Sequence, residues 1–543
     1  MITVDVIWLS LHEGIHSRGP WDTGLLEELF ANQLWPTGFE YRHHEVAEIP
    51  DGIDKAIVVL PARHHADDVE ELNRQLAKLT AVVMMLMGDE EAIFPWKKLA
   101  HPNLRMWVQI PNPEVHRELY GWATFIGDGY RQDTDEILRG FRGAARDFPW
   151  SFSGQVTHSR RLQAVDGLMG SLRAYPTATL QRTDGFTKGW ARDVYLSVLR
   201  RTQVAPCPGG PCTPDTFRFF EALEAGCVPL ADAQAGNGSG FNYWWMLGGP
   251  PVPVIEDWST VQATLELALA EWPRNANRCS AWWTEHKCSR AMALTDDLTA
   301  MGLSPEMPVV AVITSSPTPH PNPVEMLAET ICSLPAGMPV VVAFDGVRPE
   351  QQRLAAAYHQ YVRDAFDHFM PGERPFVGVV HNQHLHQAGI TRLAVEGLNS
   401  PVFLFLEHDT PLQRPDEIDW EGCTKLIRDG HFDVIRFHHE ASVLAPHEHL
   451  MLDHQTGSWQ GVPLRRTFQW SQRPHLASTG YYRRILGEFP AASNTMIEDR
   501  MHSVCQVEPY DHNRLAIYHP DGDIKRSYHL DGRGSEPKFD MVF

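Results

Sequence analysis

The chain has 543 residues, 43% of them apolar and 21% charged, with a formal net charge of −21. That length exceeds what one hydrophobic core serves and asks for about three folding units, and the ordinary apolar content excludes an extended disordered chain. The acidic balance disfavours non-specific attraction to nucleic acid or anionic lipid, so a polyanionic acceptor requires a local basic surface.

The opening residues MITVDVIWLSLHEG alternate like a strand and lack the basic region of a secretory signal. The longest apolar run, Ala81 to Met87, falls far short of the ~20 residues a membrane span needs. A cytoplasmic protein with no membrane association is therefore expected. Eight cysteines over the chain are too sparse for a disulfide scaffold, and Cys207/Cys212 and Cys279/Cys288 lack the tight spacing of a structural zinc site, so all are expected as thiols.

Apolar, β-branched runs at 3–11, 55–62, 81–88, 105–111 and 123–128 alternate with helical patterns such as 25–34 and 69–79. Such alternation predicts a parallel sheet covered on both faces, one Rossmann-like unit over 1–147. His12, Glu13 and Asp22 follow its first strand, a position suited to an acceptor. A second alternating unit, 148–300, runs through strands at 150–155, 177–184 and 228–232, helices at 159–172, 190–201 and 215–225, and a Trp-rich helical stretch. The segment 301–308, with two prolines and no periodicity, reads as a connector. The third unit, 308–543, repeats the pattern with strands at 309–316, 340–346, 376–382 and 402–410. Beyond Thr410 the alternation fades into longer loops, where acceptor specificity usually resides. The predicted fold class is α/β: a tandem Rossmann-like pair followed by a nucleotide-sugar-binding α/β domain.

The stretch PCPGGPCTPDTFRFFEALEAGCVPLAD (206–232) sets a Gly/Pro loop directly before a helix, with Asp215 or Thr216 placed to cap it. A helix start offers unpaired N–H groups and partial positive charge to a diphosphate, and Arg218 in the first turn adds a charge-assisted hydrogen bond. Glu221, three residues on, shares that face and suits ribose hydroxyls. The run Arg218, Glu221, Ala222, Leu223, Gly226, Cys227 and Pro229 closely resembles the R-x-x-E-A-L-x-x-G-C-x-P donor motif of exostosin-like glycosyltransferases of the GT-B fold. FSGQVTHSRR (152–161) looks like the first glycine loop of the same half, which implies Arg160 or Arg161 near the phosphates, with Arg160 favoured.

In the third unit, FLFLEHDTPL (403–412) delivers Glu407, His408 and Asp409 at the end of a strand apolar on both faces, with Glu407 and Asp409 expected on one side of it. A hard divalent cation, Mg2+ or Mn2+, takes oxygen ligands and neutralises a departing diphosphate. This part resembles the GT-A glycosyltransferase fold and its D-x-D motif, with Glu407 replacing the first Asp. The resemblance implies Asp409 as metal ligand and Glu407 on ribose or metal-bound water. ITSSPTPHPN (313–322), containing Thr314, looks like the opening nucleotide loop, and Asp345 falls where that family binds base or ribose. MIEDRMHS (496–503) resembles the pair that supplies a general base, here Asp499 with Glu498 beside it. YHPDGDIKRSYHLDGR (518–533) resembles the closing loop, implying His529, rather than His519, as third metal ligand and Lys525, Arg526 or Arg533 on phosphate.

Between His454 and Gly487 there is no acidic residue, while Arg465, Arg466, Arg473, Arg483 and Arg484 interleave with Trp459, Phe468, Trp470, Tyr481 and Tyr482. Basic surface with aromatic platforms suits nucleic acid with an exposed base. Two-module chains of this kind resemble exostosin-type polysaccharide synthases and bacteriophage-encoded glycosyltransferases, which act in the host cytoplasm on virion proteins or hydroxymethylated DNA. The expected partners are a nucleotide-sugar, with UDP-sugars favoured, and an acceptor that is DNA through 459–484, or else protein or glycan. Two other readings stand beside this one: a sugar nucleotidyltransferase, although ITSSPTPHPN lacks its Gly-rich basic loop, and a module serving only as an acceptor-binding platform.

Overall fold

The computed structural model describes residues 2–12, 18, 23–31, 38–139, 145–185, 188–240, 243–303, 309–317, 322–370, 374–381, 383–398, 400–438, 440, 442–489, 496–520 and 525–530. Its contacts divide the chain into two units, Met1–Glu306 and Met307–Phe543.

The first unit holds two parallel sheets. Strands β1 (Ile2–Leu9), β2 (Phe39–Val46), β3 (Lys55–Pro61), β4 (Ala81–Met87), β5 (Leu104–Gln109) and β6 (Ala123–Ile126) pair in the order β2-β1-β3-β4-β5-β6. Strands β7 (Phe148–Gln155), β8 (Thr179–Thr183), β9 (Thr202–Cys207), β10 (Val228–Asp232) and β11 (Val254–Ile255) pair as β11-β10-β9-β7-β8. All seven residues of β4 are buried, the signature of a strand covered on both faces. Because β1 sits between β2 and β3, and β7 between β8 and β9, successive connections leave those strands in opposite directions. Doubly wound sheets open a ligand-binding crevice at the carboxyl ends of such strands.

One long helix, Trp272–Ala300, stitches both sheets into one body. Towards the first sheet, Trp107 Nε1 donates to Asp297 at 2.9 Å and Arg290 donates to the Phe125 carbonyl at 2.8 Å. At its centre the buried Lys287 ammonium contacts Glu28, from the helix Gly24–Phe30, at 3.2 Å, and also Glu224, from the helix Phe217–Glu224. Trp283 Nε1 donates to the same Glu224 at 2.6 Å. A continuous apolar core spans Ile7 to Trp283 across both sheets.

The second unit is built on a nine-stranded mixed sheet. Strands β12 (Val310–Ser315), β13 (Val340–Phe344), β14 (Phe376–Val380) and β15 (Val402–Glu407) are parallel, with β12 between β13 and β15. The sheet continues past Thr410 with β16 (Val434–Phe437), β17 (Gly457–Trp459), β18 (Val462–Thr467), β19 (His475–Ser478) and β20 (Leu515–Tyr518), ordered β15-β19-β16-β20-β18-β17. The expectation of longer loops there missed five strands. They are three to six residues long and carry Arg, His and Ser, so they show no readable apolar period. Among the described residues all eight cysteines are free thiols, and no helix is long and apolar enough to cross a membrane.

Lys287→Ala strands two buried carboxylates without their cation. It is expected to destabilise the first unit by about 3–5 kcal/mol, and the denaturant midpoint of the full chain, read on both unfolding transitions, checks this.

Candidate active sites at the carboxyl edges of the sheets

The first site is a cleft of about 380 Å³ at the switch point of the second sheet, lined by the β7 end, the loop after β8 and the start of the helix Phe217–Glu224. Arg218 lies with its guanidinium 4.7 Å from the centre of the Phe152 ring and donates to the Ser153 carbonyl. Gly154 permits this approach, since a Cβ there would stand 2.1 Å from Arg218 Nη2. Arg161, on the helix Ser159–Ser171, is buried beside it and donates to the Gly209 carbonyl at 3.0 Å. Burial and the like charge of Arg218 push the Arg161 pKa down to about 10. Two guanidiniums sharing a partly desolvated cleft favour an anion between them.

Glu221 lies on the same wall, buried, and accepts from Arg192 Nη1 at 2.8 Å and from the Tyr195 hydroxyl at 2.9 Å. Arg192 also reaches Asp133 at 2.7 Å. Burial and then the Glu221 charge hold Tyr195 protonated, far above the ordinary phenol range. Sequence reasoning overlooked Arg192 and Tyr195; the available signal was their i, i+3 spacing after Gly189-Trp190, which brings both to one face of the helix Arg192–Arg200.

Two expected donor residues are placed elsewhere. Arg160 is absent from the cleft wall, and its guanidinium holds Asp232 at the end of β10 at 2.6 Å and the carbonyls of Ile255 and Glu256. One residue along a helix is a turn of about 100°, so Arg161 takes the cleft position and Arg160 faces β10. Asp215 does not cap the helix; Thr216 occupies the N-cap without a side-chain bond. The buried Asp215 carboxylate accepts the Asp128 amide at 2.9 Å, joining the two sheets, and burial raises its pKa.

In the second unit Asp409 and His529 converge. Both are buried, Asp409 Oδ2 stands 3.6 Å from His529 Nδ1, and the Leu530 amide donates to the Asp409 carbonyl at 2.9 Å. Glu407, the last residue of β15, accepts from Gln387 at 2.6 Å. Thr410 bonds back to the Glu407 amide and carbonyl and closes a turn. The strand alternation expected to align Glu407 with Asp409 therefore stops at Glu407. Thr314, one residue before the end of β12, is buried, its carbonyl accepting the His408 amide at 3.0 Å. Asp345 is buried and ties the end of β13 to the segment after β14: it accepts the amides of Gly346, Leu385 and His386 and contacts His384 Nδ1 at 2.7 Å. This grip fixes a turn in which His386 holds a φ of 61°.

The helix Ile497–Val507 carries Glu498 and Asp499 in its first turn. Glu498 accepts the Gln472 amide at 3.2 Å, whereas Asp499 is exposed and its charge reaches His386. Arg526 is buried against Glu417 and the Arg414 carbonyl, and His519 bonds Thr456. Lys525 is half-buried. Arg533, Glu13 and Asp22 lie outside the described residues.

Arg465, Arg466, Arg483 and Arg484 all bond to groups of the fold itself. Arg465 pairs with Glu448, Arg466 with Asp453, Arg483 with the carbonyls of Val395, Glu396 and Leu398, and Arg484 with the His512 carbonyl. Trp470, Tyr481 and Tyr482 are core residues. Two of these arginines take their counterions, Glu448 and Asp453, from the segment that precedes the stretch.

No protein-family model matches the sequence, and comparison with curated proteins finds no match. Among solved structures the chain is similar to S. aureus TarS, with 12% identity over 41% of this chain and 36% of that one and a TM-score of 0.26. For S. aureus TarS 1–349 in complex with UDP-GlcNAc the values are 11%, 42%, 60% and 0.28. For HddC from Yersinia pseudotuberculosis they are 10%, 41%, 92% and 0.26. The chain spans about a third of the full TarS chain.

An arginine of the cleft and one outside it separate by experiment. Arg218→Ala is expected to weaken uridine diphosphate binding by ~10- to 100-fold, the worth of a hydrogen bond to a charged group. Arg160→Ala should leave that affinity intact and lower stability by about 3 kcal/mol. Calorimetric titration and denaturant unfolding of both variants provide the check.

Proposed function

We propose that the chain is a nucleotide-sugar-dependent glycosyltransferase. The observation that carries this is the cleft at the β7–β9 switch point, where Arg161 and Arg218 face one space and Glu221 stands on the adjoining wall. A nucleoside diphosphate matches it in charge and order: phosphates between the guanidiniums, ribose hydroxyls on Glu221. Such an electropositive seat also stabilises the diphosphate as it leaves the anomeric carbon. UDP-sugars are the favoured donors. The acceptor is a hydroxyl of hydroxymethylated DNA, protein or glycan.

A second donor site belongs at the end of β15 in the other unit. The 3.6 Å between Asp409 Oδ2 and His529 Nδ1 fits a shared divalent cation, because two ligands each about 2.1 Å from one ion stand roughly 3 Å apart. Asp409 and His529 would hold Mn2+ or Mg2+, which supplies charge neutralisation for a departing diphosphate. Asp499, exposed at a helix start, accepts the acceptor hydroxyl proton, and Glu498, tied to the Gln472 amide, fixes that turn.

Incubation with a panel of nucleotide-sugars and Mn2+ is expected to release free nucleoside diphosphate; pyrophosphate as the product would mark a nucleotidyltransferase instead. Asp409→Asn should lower the manganese-dependent rate by ~10²-fold or more and leave the share sensitive to Arg218→Ala untouched. A rate indifferent to both substitutions refutes both sites.

A further inference from the structure

Apart from the donor cleft and the Asp409 site, three side chains of the first unit converge on one point. His12 follows β1, His65 ends the short 3-10 turn Ala62–His65 after β3, and Asp68 is the N-cap of the helix Val69–Leu76. Strands β1 and β3 pair in parallel, so their carboxyl ends deliver the three to one edge. An N-cap aspartate ordinarily accepts from its own helix, but Asp68 makes no such side-chain bond. Its Oδ2 instead stands 2.7 Å from His12 Nε2 and 3.1 Å from His65 Nδ1, with the two rings stacked 5.2 Å apart. The three ligand-capable atoms all lie within 4.8 Å of one another.

Two imidazole nitrogens and one carboxylate oxygen are a donor set for a late transition metal, above all Zn2+, rather than for Mg2+ or Ca2+, which want oxygen alone. A ligand must offer a lone pair, so the protonation of each group matters. Burial pushes the His65 pKa down and opposes its cationic form. Burial also opposes ionisation of Asp68, yet the hydrogen bonds from His65 and His12 outweigh it and hold the carboxyl below its usual range. Neutral imidazole and ionised carboxylate are the forms that ligate. His65 is wholly buried and gives the group a fixed wall, whereas the His12 side chain is 50% exposed and opens it to water.

We infer that His12, His65 and Asp68 form a zinc site that clips the segment after β1 to the turn after β3. The site stands independently of the glycosyl-transfer reading. Ligands about 2.1 Å from one ion stand roughly 3.4 Å apart in a tetrahedron. The 2.7 and 3.1 Å separations are shorter than this, so the half-exposed His12 ring draws back by less than about 1 Å to admit the ion. Binding through His65 Nδ1 moves that ring's proton to Nε2, which has no partner in its buried surroundings. The missing outer hydrogen bond lowers affinity by about 10- to 100-fold relative to a site that has one. Three protein ligands leave a fourth position for water. The ion joins segments that no backbone ladder connects, since β1 ends at Leu9 and His12 lies beyond it.

The test titrates Zn2+ into the full chain carrying Asp409→Asn, which removes the candidate metal ligand of the second unit. Calorimetry is expected to show one equivalent of Zn2+ bound, undisturbed by about a hundredfold excess of Mg2+. Adding His12→Ala should weaken that binding by more than ~100-fold, because losing a ligand costs more than losing its outer partner. Asp68→Asn should weaken it as well. Co2+ in place of Zn2+ should give visible ligand-field absorption that His12→Ala abolishes. Zinc should also raise the unfolding midpoint of the first unit in the parent and not in His12→Ala, while the two chains unfold at similar midpoints without metal. No stoichiometric Zn2+ binding, binding that survives His12→Ala, or an equal zinc-induced rise in both chains overturns the proposal.

Discussion

Lys287 is buried between Glu28 and Glu224, carboxylates that belong to helices packed on different sheets of the first unit. A buried ammonium is tolerated only when paired, so the long helix Trp272–Ala300, the helix after β1 and the helix after β9 must come together for any of the three charges to be satisfied. The Trp107–Asp297 and Arg290–Phe125 bonds extend the same closure along the helix. The carboxyl edge of the first sheet is thereby held to one body with the donor cleft of the second.

The sites follow from sheet topology. In each sheet one strand has its successors on both sides, the place at which such folds open a ligand crevice. At β7 the crevice gathers Arg161, Arg218 and Glu221; at β1 it gathers His12, His65 and Asp68; beside β12, at the end of β15, it gathers Asp409 and His529. The side chains differ in chemistry, but each group arises because residues distant in sequence are delivered to one edge by parallel strands.

Charged residues that look functional in the sequence divide by burial and partner. Arg160 and Arg161 are adjacent and of one type, yet one neutralises Asp232 and the other faces the cleft. Asp345 and Asp215 are spent on backbone amides, which a buried carboxylate requires. Arg465 and Arg466 answer Glu448 and Asp453 rather than an external polyanion.

Most of the strand-helix alternation up to Thr410, though not β2, β9 or β11, was legible in the sequence, as were the glycine-dependent loop before Phe217 and the Arg218–Glu221 spacing, because each is set by local periodicity or by a close backbone approach. Only the tertiary structure decided which member of a charged pair faces a cleft, which carboxylates hold the fold together, and that His12, His65 and Asp68 meet. Those outcomes depend on helix rotation, burial and partners 50 or more residues away, as with His12 and Asp68, 56 apart, and no local pattern carries such information.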